Sequence, residues 1–304
     1  MVNLHKKRRD AVPARIHVID ALTWVPGYSS AYLVVSNEVA LIETGLSSST
    51  EAILQGIAAC GVHPEEVAHI LITHLHLDHA GGAGLLAKHL PHADILLHPM
   101  GIPRLADPAR LLNSARKALG DFSKSYGLDG VLPVDPARLK PLVEGNVVDL
   151  GGTKLSVIET PGHAPHHLCL HDEASNGVFV GDAVGIYFPA TDTVSLTTPS
   201  PNFDMDLCLK DIERMRARKP EVLYYSHYGP NRKVEQALGR AVEKLHQWDE
   251  IVQRAAKRRS DLESIARLLA DDMAREAPLT PRWLHDELAR LYAAGYIKYR
   301  NLDV

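Results

Sequence analysis

The sequence predicts an α/β fold over residues 1–230 and a small helical domain over residues 231–304. Three observations carry this. Short apolar runs rich in β-branched residues recur to about residue 226, with helical patterns between them. Histidines and aspartates cluster just past the ends of several of those runs, where they can converge on one edge of a sandwich. Beyond Pro230 the apolar residues fall every three or four positions.

In chain order, Ile16–Ile19, Ala31–Val35 and Val39–Ile42 read as an early β-meander. Thr50–Cys60 reads as a helix closed by Gly61, the residue type best suited to a left-handed helix end. Val67–Thr73 is a buried strand, and Gly84–Leu90 a second helix. Ile95–Leu97, Leu155–Ile158, Leu168–Leu170, Val178–Val180 and Val222–Tyr225 continue the strands. The segment from Met100 to about Leu139 reads as a helical insertion that overhangs the histidine-bearing edge of the sheet as a lid.

Val234, Leu238, Val242, Leu245, Trp248 and Val252 then mark an amphipathic helix. Ser260 with Glu263 is a capping-box pattern opening a second. Thr280-Pro281 suits the N-cap and first position of a third, carrying Leu284, Leu288 and Leu291. Gly295 is expected to end it, with Tyr296–Tyr299 as a short strand, which gives a domain of winged-helix type.

Composition narrows the function. The net charge of -4 supplies no basic field for nucleic acid, and the run Lys6–Arg9 reads as a solvated tail. No stretch approaches the roughly 20 apolar residues of a membrane span. MVNLHKKRRD lacks the apolar core of a secretory signal. The three cysteines form no CxxC pair, so a reducing cytoplasm is the expected setting.

The chemistry sits in Thr73-His74-Leu75-His76-Leu77-Asp78-His79-Ala80-Gly81-Gly82. Four metal-ligand side chains crowd into six positions directly after an apolar strand. Imidazole and carboxylate suit zinc, iron and manganese. One such cluster is compatible with a solvated loop. Pro161-Gly162-His163, Gly181-Asp182 and Ser226-His227 argue against that, because each puts a further donor just past a strand.

This order resembles the metallo-β-lactamase superfamily over about residues 15–230. The resemblance implies an αββα sandwich with metals at one edge. It assigns His74, His76 and His163 to one ion, and Asp78, His79 and His227 to another, with Asp182 bridging. Two divalent ions are implied, zinc first, with iron and manganese as alternatives. Glu43-Thr44-Gly45 resembles the family's Asp-Thr-Gly turn, with Glu in place of Asp, so Glu43 is expected to hold a ligand by a hydrogen bond. His167, four residues after His163, resembles a glyoxalase-like histidine and is given a supporting role. Asp78 is the candidate to exchange a proton with the leaving group.

Tyr187 lies five residues after Asp182, whereas lactonase relatives carry a tyrosine three residues on, where this chain has Gly185. Tyr28, Tyr187, Phe203 and Tyr228 are candidates to line a substrate pocket. The expected activity is hydrolysis of an ester, thioester or lactone by a metal-bound hydroxide. A phosphodiesterase or endoribonuclease is an alternative, drawn from the C-terminal helices and the basic patch Arg254, Lys257, Arg258 and Arg259, which scattered acidic residues dilute. A mononuclear iron persulfide dioxygenase is another. The expected partner is a small-molecule substrate, with neither nucleic acid nor membrane. The amphipathic C-terminal helices are compatible with a homodimer.

Overall fold

The computed structural model describes residues 15–304. The basic run Lys6–Arg9 lies outside them. Two six-stranded sheets form the centre. The first holds β1 (Arg15–Asp20), β2 (Ser30–Val35), β3 (Val39–Ile42), β4 (Val67–Leu71), β5 (Asp94–Leu97) and β6 (Leu139–Pro141) in that spatial order. Its first three strands are antiparallel neighbours; from β3 to β6 the neighbours are parallel.

The parallel pairs need crossovers. Between β3 and β4 runs α1 (Thr50–Ala59), and between β4 and β5 run α2 (Leu77–Ala80) and α3 (Ala83–His89). Between β5 and β6 lie α4 (Ile102–Ala106), α5 (Ala109–Leu119) and a series of short 3-10 turns.

The second sheet is built from β7 (Val147–Asp149), β8 (Lys154–Glu159), β9 (Leu168–Asp172) and β10 (Gly177–Gly181), to which the end of the region adds two strands. A small hairpin, β11 (Ile186–Phe188) and β12 (Thr193–Ser195), and a helix, α6 (Met205–Ala217), precede them. They are β13 (Val222–Tyr225), parallel to β10, and β14 (Gly229–Asn231).

Strand periodicity divides the core into layers, because successive side chains face opposite sides of a sheet. On β2, Tyr32 and Val34 face the second sheet and meet Phe179 and Tyr224. Ala31 and Leu33 face the other way, toward Ile53 and Leu86 of the flanking helices. On the second sheet, Val178 and Val180 of β10 turn outward to pack with Ile212 and Met215 of α6. The order helix, sheet, sheet, helix is the αββα arrangement implied by the sequence resemblance.

Beyond Asn231 come α7 (Val234–Lys257), α8 (Leu262–Glu276) and α9 (Arg282–Tyr299). They differ from the expectation in three ways. The cap of α8 is Asp261, whose carboxylate accepts from Ser264 N–H at 2.8 Å, rather than Ser260. The chain enters α9 one residue later, with Pro281 as N-cap. Gly295 does not end α9, and Tyr296–Tyr299 is helical, so the region lacks the strand of a winged helix.

The glycine has a packing reason: a Cβ on Gly295 would overlap the Thr198 carbonyl oxygen. Nor does the boundary at Pro230 break the core. Leu238, Trp248, Leu269 and Tyr296 share one apolar cluster with Val178 and Ile212 of the sandwich. Beneath it, Lys244 pairs with Asp272 at 2.9 Å, and Asp272 also accepts from the Trp248 indole. No helix among the described residues is long and apolar enough to cross a membrane.

Candidate metal centre

Four loops at the C-terminal ends of strands deliver seven side chains to one edge. The loop after β4 and the start of α2 carry His74, His76, Asp78 and His79. The loop after β8 carries His163, the turn after β10 carries Asp182, and the turn after β13 carries His227. The donors form three overlapping groups, one of which joins His74 and His79 to Asp182. His74, His76 and His163 lie together, as do Asp78, His79 and His227.

The spacings within them are those of ligands around an ion. His74 Nε2 is 2.9 Å from His76 Nδ1, which is 3.0 Å from His163 Nε2. His227 Nε2 lies 3.3 Å from His79 Nε2 and 3.5 Å from Asp78 Oδ2. Tetrahedral ligands at metal–nitrogen distances of about 2.0–2.1 Å sit roughly 3.3 Å apart. Asp182 faces both groups, with Oδ1 at 3.3 Å from His79 Nε2 and Oδ2 at 3.6 Å from His163 Nε2. That Oδ1 is buried without a hydrogen-bond partner, a state that burial penalises unless a cation meets it.

The outer nitrogens explain why the inner ones hold lone pairs. His163 Nδ1 donates to the Thr197 carbonyl at 3.0 Å, and His227 Nδ1 to the Tyr28 carbonyl at 3.1 Å. His79 Nδ1 donates to Glu43 Oε1 at 3.1 Å. The Thr73 hydroxyl donates to the same oxygen at 2.6 Å, so it accepts from His74 Nδ1 at 3.0 Å. Each contact fixes the tautomer that turns Nε2 toward the centre.

Glu43 Oε1 also accepts from the Ser226 hydroxyl at 2.7 Å, beside the candidate ligand His227. His167 supports the bridge. Its Nε2 accepts from Asp182 N–H at 3.0 Å, and its Nδ1 donates to the Thr160 hydroxyl at 2.7 Å. Gly181, at φ 51°, lets the strand pass this ring, which any Cβ there would strike.

Charge follows from burial and neighbours. Burial and the adjacent imidazoles keep His74 and His163 neutral, and burial draws His76 down to about 4. Burial would also depress His79, but Asp182, Glu43 and Asp78 outweigh it and lift it to about 10. Burial would raise Asp78, yet His79, His227 and His76 hold it low. Burial raises Asp182 against the pull of His79 and His227. Asp78, Glu43 and Asp182 thus crowd around the single imidazole they draw toward the charged form, His79, while burial keeps His74, His76 and His163 from adding positive charge. Uncompensated buried charge costs several kcal/mol per ion, and divalent cations on this donor set would remove that cost. The residues fit a metal centre.

A cavity of about 410 Å³ opens over this edge, with His76, Asp78, His163 and Asp182 in its wall. The insertion after β5 covers it through Met100, Arg104, α5 and Tyr126. His166 also lines it, accepts from Leu75 N–H at 3.3 Å and is drawn down to about 3 by burial.

The four aromatic candidates end up elsewhere. Tyr28 is buried with its ring 5.0 Å from that of His227. Tyr187 donates to Asp192 at 3.3 Å and leans on Tyr225. Tyr228 is half-buried and not on the cavity wall. Phe203 points into the core against Tyr296, because its neighbours Pro201 and Asn202 occupy the wall instead. The phenols on the wall are Tyr126 and Tyr292, both kept protonated chiefly by burial. Neither stands out in the sequence, since each sits within an ordinary helical pattern. Thr197, which holds both His163 and the Asp182 carbonyl, carries no sequence signal.

Comparison with known proteins places these features in a family. A model of the metallo-beta-lactamase superfamily matches residues 24–227. The metallo-beta-lactamase fold-containing protein ST1585 of Sulfurisphaera tokodaii is 34% identical over 172 residues, which cover 54% of this chain and 62% of that protein. Its crystal structure superposes with a TM-score of 0.62 at 27% identity, over 77% of this chain and 85% of that one. The acyl-coenzyme A thioesterase MBLAC2 of Gallus gallus is 35% identical over 115 residues, covering 37% of this chain and 40% of the thioesterase. Among solved structures, the metallo-beta-lactamase family protein TTHA1429 from Thermus thermophilus matches with a TM-score of 0.67 at 22% identity. That match covers 94% of this chain and 93% of the other, and shows the shared fold.

Proposed function

The chain belongs to the metallo-beta-lactamase superfamily, and from that premise we propose that it is a metal-dependent hydrolase of an ester, thioester or lactone, with a dinuclear centre. The observation that carries the reading is Asp182, whose two oxygens face two separate groups of three donors. Zinc is the first candidate, because four-coordinate nitrogen and carboxylate sites suit it. Two ions so held would supply a hydroxide at neutral pH and polarise a carbonyl oxygen.

The protein's own part is to orient, exclude water and move a proton. Glu43, Thr73, Thr197 and the Tyr28 carbonyl fix the imidazoles before substrate arrives. Asp78 is the partly exposed carboxylate of the centre and lies on the cavity wall, placed to take a proton from the attacking water and pass it to the departing group. Tyr126 and Tyr292 offer hydroxyl donors on the same wall. The thioesterase among the relatives adds weight to a thioester within this class.

The test is a screen of esters, thioesters and lactones with the protein as purified, after chelation, and after Asp182→Ala. We expect activity in the first sample alone, with metal content falling alongside it in Asp182→Ala. Hydrolysis undiminished by that substitution would refute the bridging role.

A further inference from the structure

The cavity has a second property that the metal centre does not explain. Away from the ligands, its wall is largely apolar and comes from two helices far apart in sequence. Leu111, Ala115, Ala118 and Leu119 line it from α5, and Leu288 and Leu291 from α9. Helix α5 has no fully buried residue, although its two faces differ sharply in polarity. Its apolar face therefore serves the cavity rather than the core alone. Helix α9 lies outside the family-matched residues 24–227, yet is locked to the metal edge. Thr198 Oγ1 donates to the Tyr292 carbonyl at 3.2 Å, Gly295 seats against Thr198, and the adjacent Thr197 accepts from the ligand His163.

We propose that this α5–α9 cleft is the acyl-chain site, so that the substrates are thioesters or esters of medium-length acyl groups. The inference rests on the hydrolase reading for its reacting carbonyl, which would sit at Asp182 while the chain lies along the leucines. About 410 Å³ equals some 14 water-sized volumes at roughly 30 Å³ each, enough for a carbonyl and a chain on the order of ten carbons. Among the described residues, Arg104 is the one Lys or Arg on the wall, so the leucine-lined part offers no charged partner to a polar acyl group.

The C-terminal helices thereby gain a role at the site: they finish a pocket that the sandwich leaves open.

The experiment uses the full metal-loaded chain and a series of acyl thioesters of N-acetylcysteamine, from acetyl to decanoyl. Burying each added methylene should raise kcat/KM about three- to fivefold until the cleft is full. Ala118 is solvent-exposed yet on the wall, so Ala118→Phe can fill the cleft without disturbing the core. It should lower kcat/KM for decanoyl at least tenfold and for acetyl by a distinctly smaller factor. Ala115→Phe is the second filling variant, and decanoate binding by calorimetry reads the cleft without turnover. Hydrolysis at equal rates for all chain lengths, unchanged by either variant, would overturn the acyl site and leave the hydrolase reading standing. Decanoate binding that Ala118→Phe abolishes, with every thioester and ester inert, would keep the cleft and sink the hydrolase.

Discussion

Glu43 is the residue on which the ligand loops converge. One of its oxygens accepts from Thr73, His79 and Ser226, which come from two different ligand loops. Its backbone sits at φ 71°, a region rarely used by residues other than glycine. Three charge-assisted hydrogen bonds hold it there. Glu43→Gln removes the charge but keeps the size. Partners that orient metal ligands typically contribute 10–100-fold in affinity. Chelator competition should therefore show metal affinity down by about that factor, with the folded circular-dichroism spectrum retained. Unchanged affinity would make Glu43 a packing residue. Its place next to a ligand was legible in the sequence from the turn motif; the hub was not, because Thr73 and Ser226 look ordinary until the loops meet.

At the scale of elements, local signals read well where one force acts and poorly where two compete. The apolar runs that became β2, β3, β9 and β10 needed only burial on two faces to declare themselves. Helix α6 carries a readable cap, Asp204 accepting from Leu207 N–H at 3.0 Å, and apolar residues at helical spacing. It is the one long helix of the sandwich absent from the sequence expectation, lying between stronger features. Gly295 misleads for a physical reason: a glycine after an apolar stripe signals a helix end, but here it serves a close approach to Thr198. Gly295→Val should consequently be destabilising by about 2–3 kcal/mol, the cost of overpacking. Denaturant unfolding measures it, and a loss below about 0.5 kcal/mol, ordinary for a neutral surface site, would mean that α9 can shift away from the loop without cost.

For the whole molecule, the strands set the direction and the loops set the site. All four ligand-bearing segments leave their sheets at C-terminal ends, so one edge collects the seven donors that the sequence spreads over more than half its length. That convergence was legible because each donor follows a strand. The cavity was not, since its wall joins the insertion after β5, the stretch around Pro199–Asn202 and α9, which no periodicity links. The sandwich and the C-terminal helices also share a core, which a change of period at Pro230 conceals.

We propose that this shared frame holds two ions. Elemental analysis of protein purified without chelator or added metal counts them. Close to two divalent ions per chain are expected, falling together when Asp182 is replaced. A single tightly held iron, with no second ion taken up on titration, would contradict it.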